Sequence, residues 1–525
     1  MTRIDQKPEV GTARLLTRQL QVCERNCDKG AGGALVEAAM TMVCFGLSGL
    51  AGDAHLLQFT ASAKAVDRAC VNVARSRACV RSRALWKTVP CSAERARTRV
   101  ISMAETRFTK IENGGVTSAR GFLCAGMCAG LKPSKKDDVA IILVDPSLPP
   151  AAAAGVFTQS VVRAAPVDID REQLVKSKNR ARAVVINSGQ ANAATGDKGW
   201  QDALETIATV VKILGEQDSS LVLVSSTGVI GRRIKMPELL AALPALVSAA
   251  DTSTEAGLRT ARAIMTTDLV PKAIAFETTV DGKRVVVGGM AKGSGMIHPN
   301  MATMLSYITC DVAVDGDAWQ GMVARAASKS FNQITVDGDT STNDTLIGLA
   351  SGASGASIQP GTPEFETIEA MVTECCQYLS MSIARDGEGA TVLLEVFVEG
   401  AESDADARKI AKTVCGSHLF KAAVFGRDPN WGRIAGAAGR AGVNFDQTKL
   451  EISIGPYALL VNGQPTDFVA KDVSQYMADA AKAEYLSGND TVAIRIKVGS
   501  GPGSGYAWGC DLSYDYVKIN AEYTT

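Results

Sequence analysis

Short apolar runs alternate with segments of helical spacing from residue 114 to the end of the chain. Strand-like runs occupy residues 138–144, 182–196 and 220–231; the second ends in a small-residue loop and the third in a Thr-Gly turn. Residues 200–215 and 236–250 instead have the three- and four-residue apolar spacing of helices. Because strands and helices are interleaved, the pattern predicts a layered α/β class (α/β or α+β) in which helices cover sheets.

Chain length and charge limit the classes of protein that fit this pattern. At 525 residues the chain is too long for one compact core, so we expect two domains. Its 55 basic residues balance its 55 acidic residues, which leaves no global basic field for nucleic acid. No apolar run reaches the roughly 20 residues of a membrane-spanning helix. We expect a soluble protein with neither a nucleic acid nor a membrane as partner.

Cysteine and histidine usage argues against a metal site. The 13 cysteines are scattered without any CxxC pair, and the chain has 3 histidines, His55, His298 and His418. A zinc site would therefore need mostly thiolates, without the usual paired spacing. The sequence predicts no metal, and a reduced compartment in which cysteines serve as small apolar residues.

The first 110 residues differ in composition from the rest. Between residues 60 and 102, Arg and Lys recur every few positions, and the acidic residues are Asp67 and Glu94. An Arg-rich, acid-poor leader is typical of an organelle transit segment, so we predict a disordered or weakly helical leader over residues 1–110. The alternative is a basic linker or a start codon placed too early, which the acidic residues within 1–59 favour.

Two stretches resemble ligand-binding loops that their sequence context excludes. Segment 337–344 reads DGDTSTND, but the sixth and twelfth positions of an EF-hand would be Thr342 and Gly348 instead of Gly and Glu. So many polar groups need partners, and we predict that this loop braces a site. The glycine run 499–505 has no helix after it to hold a phosphate, which predicts a flexible hairpin followed by a strand.

A Thr-Gly turn follows the strand near residue 225. The segment 226–231, STGVIG, can aim a hydroxyl and backbone N–H groups at one point, as an oxyanion hole does. Taken alone, Thr227 and Gly228 are a weak signal, and an ordinary Ser/Thr turn is the default interpretation.

The segment 288–305, GGMAKGSGMIHPNMATML, places one Ala-Thr bond before an apolar strand. A threonine hydroxyl is a poor nucleophile unless a base lies beside it. For Thr303 that base is either an imidazole, from His298 or His418, or its own α-amine after cleavage of the Ala302–Thr303 bond. Spacing alone favours the simpler interpretation of a threonine that opens a strand.

Several motifs together resemble the ornithine acetyltransferase family, the bifunctional glutamate N-acetyltransferases of arginine biosynthesis, and most of all its plant and algal plastid members. The resemblance covers residues 114–525, in the family's order, and leaves the leader out. The motifs are NSGQANAATG (187–196), SSTGVIG (225–231), MTTD (265–268), GGMAKGSGMIHPNMATML (288–305), FNQITVDGDTSTNDT (331–345), DGEGAT (386–391), GRDPNWGRI (426–434) and NAEYTT (520–525).

The resemblance implies a precursor that cuts itself at Ala302–Thr303. An α chain (residues 111–302) and a β chain (303–525) would then stay entwined in a two-domain α/β fold and form a heterotetramer with two of each. Thr303 would be the nucleophile, carrying the acetyl group from N2-acetylornithine to glutamate in a ping-pong reaction, with its new α-amine as base. Thr227 and Gly228 match the family's oxyanion-hole pair.

The substrate groups are implied in the same way. Thr266 and Lys292 match positions that hold the amino-acid moiety, and a lysine supplies charge for a carboxylate. Glu388 matches the acidic residue that takes a substrate ammonium, and Asn520 and Thr525 match the tail that closes over the pocket. The resemblance requires no cofactor, and some members also accept acetyl-CoA. His298 is assigned a loop-bracing role, because the family mechanism needs no imidazole.

The likeness to plastid members implies a location in the chloroplast stroma, with the mitochondrion as the alternative for an Arg-rich leader. Two other functions remain open from the sequence. A self-processing amidohydrolase or aminopeptidase would use the same Thr303 but transfer to water. A non-enzymatic binding protein would keep Thr303 inert and its chain uncut.

Overall fold

A computed structural model of the chain describes residues 108–298 and 304–522. Most of the predicted leader, the Ala302–Thr303 bond and Thr525 lie outside the described residues. The last two residues of the predicted leader form strand β1 (Thr109–Lys110), so the packed body begins by residue 108. Phe108 packs edge-to-face on Phe276, with the ring centroids 5.6 Å apart.

The described residues form three sheets. Sheet I has the order β1-β8-β9-β10-β12-β4-β5, sheet II the order β2-β3-β6-β7, and sheet III the order β11-β18-β13-β17-β14-β15-β16. The strands are β1 (Thr109–Lys110), β2 (Phe122–Met127), β3 (Val139–Val144), β4 (Ala151–Phe157), β5 (Arg180–Ala181), β6 (Ala183–Gln190), β7 (Val222–Val229), β8 (Lys272–Val280), β9 (Lys283–Lys292), β10 (Leu305–Cys310), β11 (Ile334–Thr335), β12 (Thr345–Ala350), β13 (Leu393–Ala401), β14 (Glu451–Ile454), β15 (Tyr457–Val461), β16 (Gln464–Pro465), β17 (Thr491–Lys497) and β18 (Gly503–Cys510).

Helices connect and cover these sheets. In the described part of the chain they are α1 (Ala165–Lys176), α2 (Gly196–Leu214), α3 (Met236–Ser248), α4 (Thr254–Ala263), α5 (Gly316–Ser328), α6 (Pro363–Arg385), α7 (Asp404–Cys415), α8 (His418–Phe425), α9 (Trp431–Gly439), α10 (Ala470–Ala480) and α11 (Tyr514–Glu522). None of these helices combines the length and apolar character needed to span a membrane.

Sheets I and II stack in a four-layer lobe. In β3 all six residues are buried, and alternate side chains enter two different cores, as the period of a strand requires. One core joins the outer face of sheet II to α2 and α3, and the other joins its inner face to sheet I. A third core packs α5 and α6 on the far face of sheet I. The predicted layered α/β class is confirmed.

Two parallel strands of sheet II end side by side. Strands β6 and β7 pair in parallel, and α2 provides the crossover between them. Ser188 is therefore opposite Thr227, and Gly189 is opposite Gly228. The predicted small-residue loop and Thr-Gly turn after these strands leave from the same edge of the sheet, where side chains from both can meet.

The predicted hairpin at 499–505 is wrong. Strands β17 and β18 are not neighbours, because β13 lies between them, parallel to β17 and antiparallel to β18. The glycine run instead crosses the end of β13 in close backbone contact, and a Cβ on Gly501 would lie 2.1 Å from the carbonyl oxygen of Ala401. The run needs glycine for this close approach. The strand expected after it is present as β18.

Candidate active site

A small cavity opens where the ends of β7 and β9 meet the start of β10 and the 337–344 loop. It is lined by Thr227, Lys292, Gly295, Met296, Ile297, Met304, Leu305, Ser341, Asn343 and Asp344. The antiparallel pairing of β9 with β10 puts Lys292 opposite Leu305. The end of β9 and the start of β10 therefore lie side by side at the cavity. The cavity thus brings the predicted site residues Thr227 and Lys292 together with Met304, which follows Thr303 in the sequence.

Lys292 and Thr227 are in direct contact. Both are 8% exposed, and the Lys292 ammonium donates a hydrogen bond to Thr227 Oγ1 over 3.3 Å. Burial lowers the pKa of Lys292, while Asp268, Asp344 and Glu388 oppose that shift. Because the Thr227 oxygen accepts from Lys292, its own O–H proton remains available for another acceptor. The pair can therefore stabilise negative charge that develops in the cavity.

Gly228 is confined by the neighbouring strand. Its φ is +123°, and a Cβ there would lie 2.4 Å from the carbonyl carbon of Gly189. Only glycine fits this conformation and this approach of two backbones. Gly228 thereby allows β7 to stay paired closely with β6 immediately after Thr227.

The 337–344 loop braces the segment that precedes the Ala302–Thr303 bond. Asp337 accepts hydrogen bonds from the backbone N–H groups of Met296 and Ile297, at 2.6 and 2.9 Å. The Asn343 amide donates to the carbonyl oxygens of Ser226 and Ala191, at 2.8 and 2.5 Å. The loop consequently holds both the β7 end and the 296–297 backbone in place, as predicted for this polar segment.

His298 belongs to the same brace. Its Nδ1 lies 2.9 Å from Thr335 Oγ1, and its carbonyl oxygen accepts from Thr340 Oγ1 at 2.8 Å. Burial lowers the pKa of His298 to about 4, with Lys412 adding to the shift. The imidazole is neutral near pH 7 and lies against Thr335 of β11, while Thr340 of the loop holds the His298 carbonyl oxygen, which fits the bracing role assigned to His298.

Of the remaining predicted substrate residues, Glu388, Asn520 and Thr266 are connected to the 293–295 segment that borders this cavity. The Glu388 carboxylate lies over Gly295, where a Cβ would come within 2.5 Å of its carboxyl carbon. Asn520, on α11, donates to Glu388 Oε2 at 2.8 Å. The Thr266 N–H donates to Asp268, which also accepts from the N–H of Gly293. Thr303 and Thr525 lie outside the described residues.

Comparison with known families identifies the chain's relatives. The model of the ArgJ family matches residues 123–525. The chain belongs to the ArgJ family. The predicted resemblance is confirmed, since ArgJ is the arginine-biosynthesis family to which the quoted motifs pointed.

Curated ArgJ proteins match over 78–99% of their own lengths. The "Arginine biosynthesis bifunctional protein ArgJ" of Synechocystis sp. is 54% identical over 417 residues, covering 79% of this chain and 99% of that protein. The "Arginine biosynthesis bifunctional protein ArgJ, chloroplastic" of Populus trichocarpa is 54% identical over 418 residues, covering 78% of this chain and 84% of its own. That of Physcomitrium patens, also named chloroplastic, is 52% identical over 415 residues, with 78% of each covered.

Two solved ArgJ-type structures are also similar. The ArgJ bifunctional protein of Bacillus halodurans is 42% identical, covering 42% of this chain and 100% of that chain, with a TM-score of 0.40. The ornithine acetyltransferase of Mycobacterium tuberculosis, complexed with ornithine, is 40% identical, covering 37% of this chain and 100% of that chain, with a TM-score of 0.34.

Sequence reasoning missed a buried charged cluster beside the ArgJ cavity. Asp268, Lys272 and Asp386 have side chains that are at most 2% exposed, and Lys272 pairs with both acids. Lys272 is the first residue of the largely apolar strand β8. A charged residue at that position was the one local sign of the cluster in the sequence. The partner of Lys272, Asp386, is 114 positions away, so no local pattern could join them.

Proposed function

We propose that this ArgJ protein transfers the acetyl group of N2-acetylornithine to glutamate through an ester on Thr303. The observation that carries the proposal is the Lys292–Thr227 contact in a cavity that is also lined by Met304. A peptide bond keeps the Cα of Thr303 about 3.8 Å from that of Met304. The names of the relatives, bifunctional proteins of arginine biosynthesis and an ornithine acetyltransferase, support the same reaction.

The nucleophile arises by cleavage of the precursor at Ala302–Thr303. The Thr303 α-amine, with a pKa near 8, takes the hydroxyl proton while Oγ attacks the acetyl carbonyl of N2-acetylornithine. The amide C–N bond then breaks, and the proton passes to the departing ornithine amine. Glutamate's amine attacks the resulting ester, so that N-acetylglutamate leaves and the Thr303 hydroxyl is restored. Thr227 O–H and Gly228 N–H stabilise the oxyanion in both halves.

Charged groups around the cavity select an amino-acid substrate. Lys292 attracts the α-carboxylate, and Glu388, held by Asn520, attracts the side-chain ammonium of N2-acetylornithine. Thr266 and Thr525 complete the proposed substrate contacts. The acetyl donor is itself a substrate, so the reaction uses no cofactor, and acetyl-CoA is an additional acetyl donor for glutamate.

The precursor gives an α chain that ends at residue 302 and a β chain of 303–525, which assemble as a heterotetramer of two of each. The chloroplastic names of the plant relatives and the Arg-rich segment 60–102 support import into the chloroplast stroma after removal of the leader.

Glutamate dependence tests the proposal. Purified enzyme is incubated with N2-acetylornithine, and ornithine release and N-acetylglutamate formation are followed together. We expect glutamate to accelerate ornithine release and to gain one acetyl group per ornithine released. Hydrolysis at a rate independent of glutamate would instead support the self-processing amidohydrolase alternative.

Replacing Lys292 with methionine should raise the KM for N2-acetylornithine by about 10- to 100-fold, because a charge-assisted hydrogen bond is lost. kcat should fall less, since the Thr227 hydroxyl remains. Initial rates over a range of substrate concentrations separate the two constants. Lys283→Met, at the exposed start of the same strand, is the matched control and should leave both unchanged. An unaltered KM in Lys292→Met would contradict the carboxylate-binding role.

A further inference from the structure

The Lys272 ammonium is enclosed by two carboxylates. It lies 2.7 Å from Asp268 Oδ1 and 2.6 Å from Asp386 Oδ2, and the three side chains are 1%, 0% and 2% exposed. It also donates to the carbonyl oxygen of Val270 at 3.3 Å. A charge removed from water this completely is stable only when its partners satisfy it, and Lys272 is paired with both acids.

Each of these acids also holds backbone of the candidate site. Asp268 accepts from the N–H of Thr266 at 2.9 Å and from the N–H of Gly293 at 2.6 Å. Asp386 accepts from the N–H of Leu269 at 3.0 Å. The 266–269 segment and Gly293, which are distant in sequence, are therefore hydrogen-bonded to two carboxylates that share the Lys272 ammonium.

A third connection completes the set. The Ser294 hydroxyl donates to the carbonyl oxygen of Asp386 at 2.8 Å, and the Glu388 N–H donates to the carbonyl oxygen of Ser294 at 3.2 Å. Thr266 lies two residues before Asp268, Lys292 directly precedes Gly293, and Glu388 lies two residues after Asp386. The cluster thus joins the three segments that carry the proposed substrate groups.

We propose that Lys272 is a positioning residue for the acetyl transfer: its ammonium joins Asp268 to Asp386 and so fixes Thr266, Lys292 and Glu388 around one amino-acid substrate. This inference rests on the proposed function. Lys272 is not among the described residues that line the cavity, so it acts through the acids and the backbone that they hold.

Lys272 also keeps Asp268 from competing for Lys292. Burial alone would raise the pKa of Asp268, but Lys272 and Lys292 together lower it below its usual range. Without Lys272, the remaining lysine ammonium that offsets the Asp268 charge most strongly is Lys292, which would be drawn from Thr227 and from the substrate. The titratable groups that respond to or act on Asp268 are Lys132, Lys272, Lys292, Asp386 and Tyr485.

The test compares Lys272→Met with Lys272→Arg in the processed enzyme. Displacement of substrate-holding groups by about 1 Å costs up to about 100-fold in rate, so the methionine variant should raise the KM for N2-acetylornithine by at least about tenfold. The arginine variant keeps the charge and should recover most of that loss. Arg182→Met, which breaks the partly buried Arg182–Glu216 pair at 2.8 Å, controls for simple loss of an ion pair. It should lower the Tm without changing KM.

A pH series distinguishes positioning from a purely structural role. In Lys272→Met the Asp268 carboxylate takes up a proton more readily, and the neutral acid releases Lys292. The KM ratio of variant to wild type should therefore shrink as the pH is lowered. A lowered Tm accompanied by an unchanged KM and a flat KM ratio would overturn the inference.

Asp386→Asn decides the question if Lys272→Met does not fold. The amide keeps an acceptor for the Leu269 N–H and similar volume, but it removes the ionic link between the 386–388 segment and Lys272. We expect KM to rise several-fold with a small change in Tm, and wild-type KM in a folded Asp386→Asn would overturn the inference. Failure of the wild-type enzyme to transfer acetyl at all would refute the proposed function instead.

Discussion

Thr303→Ala is expected to remain a single uncut chain and to lose acetyl transfer by about 10⁴-fold or more, the loss typical of removing a covalent nucleophile. Alanine has no hydroxyl to attack either the Ala302–Thr303 peptide bond or the acetyl donor. Because the chain stays uncut, no free α-amine forms to serve as the base. Intact-mass measurement and a denaturing gel report the cleavage, and ornithine release reports the transfer.

Two variants control this result. Thr303→Ser keeps a hydroxyl and should cleave more slowly while retaining measurable transfer. Ser306→Ala removes a buried hydroxyl from β10 that donates to the Met290 carbonyl oxygen at 3.2 Å, and it should cleave normally. A Thr303→Ala chain that still divides, or that still forms N-acetylglutamate at the wild-type rate, would refute Thr303 as nucleophile.

The sequence was most informative where local periodicity decides the structure. The apolar run at 138–144 contains β3, the helical spacing at 200–215 lies in α2, and the polar loop 337–344 braces a site as predicted. These features depend on side-chain period and on the need of buried polar groups for partners.

Features that depend on distant pairing could not be predicted in this way. The glycine run at 499–505 has the composition of a hairpin, but its conformation is set by β13, which inserts between the strands on either side of the run. The Asp268–Lys272–Asp386 cluster likewise requires contact between positions more than 100 residues apart. Composition reveals neither contact, because each arises only when the sheets are assembled.

The Thr-Gly turn shows how structure changes the meaning of a weak motif. In the sequence, Thr227 and Gly228 fit an ordinary turn. In the structure, the register of β6 and β7 places Gly228 against Gly189, which explains why the residue is glycine. The Lys292 ammonium donates to Thr227 Oγ1, which leaves the Thr227 hydroxyl to act as a donor. A hydroxyl whose oxygen already accepts from a buried ammonium is oriented to donate.

Thr227→Val is accordingly expected to lower kcat by about 10²- to 10³-fold with a small change in KM, as the loss of one oxyanion-hole donor does. Valine keeps the β-branched shape of threonine in β7, so the strand should be preserved. Thr227→Ser retains the hydroxyl and should keep most of the activity.

The matched control is Ser226→Ala, on the preceding residue of β7, whose hydroxyl donates to Asn187 Oδ1 instead of facing Lys292. It should reduce stability more than it reduces kcat. Steady-state rates of ornithine release, measured on fully processed enzyme, separate these outcomes. Equal kcat in Thr227→Val and wild type would show that the hydroxyl does not stabilise the transition state, and the buried Lys292 contact would then serve substrate binding alone.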